Sequence, residues 1–146
     1  MTQFVEAINI LIIEDNPGDV DLLREGLEDS KVHNSISVVG DGEEAVSFLR
    51  QERGFENAVR PDLIFLDLNL PRKNGREVLE EIKNDARFSQ IPIVVLTSSE
   101  ADTDVKNAYA LRANAYVTKP LGFEQFMDVV RSIESFWLSI VKLPHS

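Results

Sequence analysis

Five short runs of branched apolar residues set the terms on which this chain folds. They are Ile8–Ile13, Ile36–Val39, Leu63–Leu66, Ile91–Leu96 and Ala115–Val117. Several do not alternate with polar residues. They therefore read as strands buried on both faces, which happens when helices cover both sides of a sheet. The stretches between them supply those helices. Residues 17–29 place Val20, Leu23 and Leu27 on one face, with Asn16 as the cap and Pro17 in the first turn. Residues 43–51 gather Ala45, Phe48 and Leu49, residues 75–85 gather Val78, Leu79 and Ile82, and residues 101–111 gather Val105, Ala108 and Leu111. The longest stripe, over 123–141, carries Phe126, Val130, Ile133, Trp137 and Ile140 at alternating steps of four and three residues.

Strands that alternate with helices imply a doubly wound α/β fold, with a parallel sheet and right-handed crossovers. The 146 residues suit one such domain, 1–146, with a core over about 8–133 and a helical extension over 134–146. There is no cysteine, which excludes a disulfide framework, a thiolate metal site and a cysteine nucleophile. Lys+Arg total 15 against 25 Asp+Glu, for a net charge of −10. Such a surface is repelled by a duplex and by anionic lipid, so neither nucleic acid nor membrane is an expected partner. The first residues carry Glu6 and no basic start, unlike a secretory leader, and no apolar run approaches the roughly 20 residues of a membrane helix. A cytoplasmic location is the expectation.

In a sheet of this kind the binding site lies beyond the carboxyl ends of the strands, where strand order reverses. The residues expected there carry chemistry. Glu14 and Asp15 follow the first strand and Asp67 ends the third. Thr97, Ser98 and Ser99 follow the fourth, and Tyr116 to Pro120, with Lys119, close the fifth. Three convergent carboxylates must share protons or bind a cation. With no histidine or cysteine near them the ligand set is all oxygen, which suits Mg²⁺. A lysine and a hydroxyl on the opposite side would bind an anion. A carboxylate nucleophile, metal, lysine and hydroxyl together make a site for phosphoryl transfer.

Glu14-Asp15, Asp67, Thr97 and Lys119-Pro120, in this order and at these intervals, resemble the receiver domain of two-component response regulators. Pro71 and Gly75 after Asp67, and Asp41-Gly42 before the second helix, fit the same pattern. The resemblance spans about Ile8 to Ile133 and implies a flavodoxin-like fold: a five-stranded parallel sheet of order 2-1-3-4-5 with five helices. The runs PRKNGREVLEEIK and SFWLSIVKLP are similar to the single-domain regulators that partner cyanobacterial phytochromes.

The resemblance also implies roles. Asp67 would be the phosphoacceptor; the plainer reading is an acid capping a strand end, an odd place for a charge after four apolar residues. Asp15 and Asp67 would hold Mg²⁺ with the Asn69 backbone carbonyl. Glu14 would reach the metal directly or through water, against a plain solvated carboxylate. Lys119 would pair with phosphoryl oxygens, aimed inward by a cis bond to Pro120, rather than being a surface lysine. Thr97 would bond the phosphoryl group, against an ordinary strand threonine. Tyr116 would be the aromatic that moves inward with Thr97, against a half-buried strand tyrosine. Asn69 and Ser99 would influence hydrolysis. His33 and His145 read as exposed, and the polar connection 51–61 reads as a tolerated loop, against a partner contact.

The expected protein is a stand-alone regulator. A sensor histidine kinase, phytochrome-like by resemblance, phosphorylates it, and it signals to a downstream effector or phosphotransfer protein. It would be no enzyme beyond turnover of its own aspartyl phosphate. The alternative is a Mg²⁺-dependent phosphohydrolase with an aspartate nucleophile, which would need an acid where Asn69 stands. A flavin-binding domain of similar topology is disfavoured because Glu14-Asp15 would repel its phosphate. Phe126, Val130 and Ile133 suffice to cover the sheet, so Phe136, Trp137 and Ile140 are left for a homodimer interface, completed by Val105 and Tyr109.

Overall fold

The computed structural model describes residues 8–28, 34–98, 102–111 and 113–119, with the single positions Glu124, Asp128 and Arg131. Its strands are β1 (Ile8–Ile13), β2 (Asn34–Val39), β3 (Leu63–Leu66), β4 (Ile93–Thr97) and β5 (Ala115–Thr118). Its helices are α1 (Pro17–Glu28), α2 (Gly42–Arg50), α3 (Gly75–Asn84) and α4 (Asp102–Ala110). The five strands are parallel, in the order β2-β1-β3-β4-β5. Strand order thus reverses at β1, between β2 and β3. The expected fifth helix falls outside the described residues except at Glu124, Asp128 and Arg131, which are helical.

Local chemistry sets the boundaries. β4 begins after Pro92 rather than at Ile91, because proline has no N–H for the ladder; its carbonyl still accepts from the Ile64 amide at 3.0 Å. Asn16 caps α1 by accepting from the Asp19 N–H at 3.1 Å, and Asp41 caps α2 by accepting from the Glu44 N–H at 2.8 Å. Asn74 does the same for α3 with the Glu77 N–H at 2.9 Å.

Alternate residues of each strand enter two cores. Leu11, Ile13, Ile64, Leu66, Ile93 and Val95 face the side that carries Phe48, Val78, Leu79 and Ala108 of α2, α3 and α4. Ile10, Ile12, Leu63, Phe65, Val94 and Leu96 face Leu23 and Leu27 of α1. Several polar groups inside this frame are paired. The Asp62 carboxylate accepts from the Asn9 N–H at 2.9 Å. The buried Lys83 ammonium donates to the Ile91 carbonyl at 3.2 Å and to Asn114 Oδ1 at 3.0 Å, tying α3 to the loop before β5.

Two glycines let the loop after β3 fold tightly over the carboxyl edge. A Cβ on Gly75 would stand 2.3 Å from the Asp67 carbonyl oxygen, and one on Gly42 would stand 1.9 Å from the Lys73 carbonyl oxygen. Neither clash is with a flexible side chain, so the backbone itself would have to move. Gly75→Ala is therefore expected to cost about 1–3 kcal/mol by overpacking and to displace Asp67. Urea denaturation checks this, and an unchanged midpoint would refute the close approach.

Candidate functional site

The register that closes the sheet also builds the site. Ile13 of β1 pairs with Leu66 of β3, so Glu14 and Asp67 emerge side by side. The ladder continues past the strands: the Asp67 N–H donates to the Ile13 carbonyl at 3.0 Å, and the Glu14 N–H to the Val39 carbonyl at 3.0 Å. On the far side, the Lys119 N–H donates to the Thr97 carbonyl at 2.7 Å. Glu14 and Asp67 are buried while Asp15 faces solvent.

Glu14, Asp15 and Asp67 each offer a carboxylate oxygen, all within 4.8 Å of one another. Lys119 lies among these acids rather than across from them. Its Nζ donates to Glu14, to Asp67 at 3.0 Å and to Asp19 at 2.7 Å. Asp19 was not singled out in the sequence. Its signal was its place in the first turn of α1, directly after the loop that carries Glu14 and Asp15.

The electrostatics follow from crowding. Burial pushes the Glu14 carboxyl up to about 8, and its hydrogen bond to Asp67 adds to the rise. Burial also opposes ionisation of Asp67, but hydrogen bonds from Glu14, the Asn69 N–H and Lys119 outweigh it and hold Asp67 below its usual range. Burial works against the Lys119 charge too, and is overcome by Asp19 and Glu14, which hold its pKa above the ordinary lysine value. The site thus favours the proton on Glu14 and the charge on Asp67. The sequence expected either proton sharing or a cation. Here a proton and an ammonium act together.

The other expected residues take these places. The Asn69 N–H donates to Asp67 Oδ1 at 3.0 Å, fixing the carboxylate, and the Asn69 side chain is exposed. Thr97 ends β4 at 0% exposure, and its hydroxyl has no hydrogen-bond partner among the described residues. An unsatisfied buried hydroxyl is costly and marks a place for an acceptor. Tyr116 is half-buried against the core on the α4 side, and its N–H donates to the Tyr109 hydroxyl at 3.2 Å. Val105 is half-buried and Tyr109 is 50% exposed. Ser99, Pro120, Phe136, Trp137, Ile140, His33 and His145 lie outside the described residues, as do Phe126, Val130 and Ile133.

The donor set fits a hard divalent cation: three carboxylates, oxygen only, two buried and one open to solvent. With a carboxylate at the end of a buried strand, an ammonium beside it and an unsatisfied hydroxyl one strand away, the edge is built for cation-assisted chemistry on an anion.

Residues 10–131 match the family model of the response regulator receiver domain. The chain belongs to that family. As a receiver it is a response-regulator module of two-component signalling. It is 45% identical over 135 residues to the response regulator Rcp1 of Synechocystis sp., covering 92% of each chain. Its fold superposes on the phosphorylated cyanobacterial phytochrome response regulator RcpA with a TM-score of 0.93, at 46% identity over 96% of this chain and 100% of that one. The Mn²⁺-bound form of Rcp1 gives 0.92, at 44% identity over 94% and 99%. The receiver is thus similar to phytochrome response regulators in sequence and in fold. Among its described residues no helix is long and apolar enough to cross a membrane.

A carboxyl that keeps its proton in the fold but ionises freely in the unfolded chain costs stability as pH rises. For Glu14 the cost begins near the ordinary value of 4.5 and is complete above about 8. Glu14→Gln cannot ionise. In EDTA it is expected to gain on the wild type in thermal stability across that window and to hold a constant lead above it. Thermal melts at intervals of pH check this, and a constant difference between the two proteins throughout would refute it.

Proposed function

We propose that this receiver accepts a phosphoryl group on Asp67 from a sensor histidine kinase, with Mg²⁺, and signals through a conformational switch. The observation that carries the reading is an ionised, buried Asp67 in contact with Lys119 and beside two further carboxylates. Asp15 and Asp67 would hold the cation through their side chains, with the Asn69 carbonyl as a further ligand and Glu14 bound directly or through water. The bound Mg²⁺ supplies a positive charge that offsets the approach of one anion to another.

Asp67 then attacks phosphorus with a carboxylate oxygen. The bond from phosphorus to the kinase imidazole nitrogen breaks, and its electron pair returns to the ring. Lys119 stabilises the phosphoryl oxygens as a point charge. The Asn69 N–H holds Asp67 in place, and the unpartnered Thr97 hydroxyl donates to the new group.

That last contact exists only in the phosphorylated state, so it biases a two-state equilibrium toward the conformer that makes it. Tyr116 and α4 are the elements it moves. Phosphohydrolase activity would require an acid at position 69, where this chain has an asparagine engaged through its backbone.

The similarity to Rcp1 and RcpA supports a phytochrome-type kinase as donor. The output is binding to a downstream effector or transfer of the phosphoryl group to another protein, within the cytoplasm, and catalysis is limited to the receiver's own aspartyl phosphate. A two-fold homodimer would form through Val105 and Tyr109 of α4 and β5, together with Phe136, Trp137 and Ile140. The half-exposed ring of Tyr109 supports that face.

Incubation with acetyl phosphate and Mg²⁺ is expected to add one phosphoryl group by intact mass. Asp67→Asn and EDTA should each abolish it, and Thr97→Ala should keep the adduct but lose the downstream change. A full-yield adduct on Asp67→Asn would overturn the assignment. Sedimentation over a range of concentrations should show dimers, weakened by Trp137→Ala; a monomer at every concentration, with or without phosphorylation, would refute the interface.

A further inference from the structure

We propose that Asp19 is a positioning residue for phosphoryl transfer: it keeps the Lys119 ammonium aimed into the site while a cation and a phosphoryl group occupy the other carboxylates. The inference rests on the receiver reading above and names a part of the machinery that reading does not contain.

An ammonium has three N–H donors. Those of Lys119 meet three carboxylates: Glu14, Asp67 at 3.0 Å and Asp19 at 2.7 Å. The three partners are not equivalent. Glu14 and Asp67 belong, with Asp15, to the cluster whose oxygens gather within 4.8 Å, and Asp19 does not. A divalent cation entering that cluster takes up Glu14 and Asp67 and repels the ammonium beside it. A lysine is a point charge on a flexible stem, and nothing in its own geometry keeps it directed at the phosphoryl oxygens. Asp19 is the one carboxylate contact that the cation leaves in place.

The placement of Asp19 suits that task. It sits in the first turn of α1, whose start is fixed by the Asn16 cap on the Asp19 N–H. Its side chain is 30% exposed against 10% for that of Lys119. Beside the pair lies a small cavity, ≈ 10 Å³, lined by Glu14, Asp19, Asp67 and Lys119 together with Leu23 and Phe65. A cavity of that size admits about one water, so little solvent there competes with Asp19 for the ammonium.

A different role for Asp19 would be to favour the positive end of the α1 dipole. The two roles separate in a double-mutant cycle. Wild type, Asp19→Asn, Lys119→Gln and the double variant are compared in two measurements. The first is the initial rate of phosphoryl adduct formation from acetyl phosphate with Mg²⁺, for wild type and Asp19→Asn. In that step an Asp67 oxygen bonds to phosphorus, the bond from phosphorus to the acetyl oxygen breaks, and acetate leaves with the electron pair. The second is the urea midpoint of all four proteins in EDTA.

Asp19→Asn is expected to slow the rate about tenfold, the scale of one charge-assisted contact. Its effect on the midpoint should vanish in the Lys119→Gln background. An unchanged rate overturns the proposal. A slowed rate with midpoint effects that simply add also overturns it, because Asp19 then acts on the helix and not through Lys119. If the wild type itself takes no phosphoryl group, the receiver reading fails first, and that outcome is distinct from both.

Discussion

A single buried ammonium joins the elements of this receiver that carry its chemistry. Lys119 follows β5, yet its contacts reach the ends of β1 and β3 and the first turn of α1. Each of those carboxylates would be costly so close to the others without a positive charge among them. Burial makes the interaction strong and also makes it conditional. The proton that Glu14 favours and the single ammonium ease the repulsion at the sheet edge without cancelling it, since Asp15, Asp19 and Asp67 outnumber Lys119.

The surplus of acids is what would draw a cation to this edge. A divalent cation in the cluster would add positive charge there and displace the proton from Glu14, while Asp19 stays with the ammonium. A phosphoryl group brings new negative charge at the position Lys119 already faces. The neighbouring Thr97 hydroxyl is left without a partner among the described residues. In the proposed function it is the group that would meet the phosphoryl oxygens.

The route outward from Thr97 is short. Thr97 lies in register with Thr118 of β5, and Tyr116, two residues earlier, packs on the same side of the sheet as α4. The Tyr109 hydroxyl of α4 accepts from the Tyr116 N–H, so helix and edge strand are linked by a hydrogen bond as well as by packing. In the proposed switch, the α4 face would follow the position of β5 through this link. The Tyr109 ring on that face is exposed.

The architecture was legible because it rests on period and order. Apolar runs without alternation mark doubly covered strands, and strict alternation with amphipathic helices leaves few topologies. The acids at strand ends were legible for the same reason, since a charge directly after Leu66 has no place in a buried run. What the chain alone left open concerned distances between elements. Whether Lys119 faces the acids or lies among them depends on how far β5 sits from β1 across two intervening strands. Asp19 carries no local mark beyond being an acid in the first turn of α1, and its contact with a lysine 100 residues away exists only once the sheet closes. The raised Glu14 is likewise a product of burial by several elements at once. Sequence by itself determined which side chains reach the sheet edge, because hydrophobic period and strand order act locally. Tertiary structure decided which of them share a proton, a lysine or nothing, because desolvation and charge pairing depend on every neighbour together.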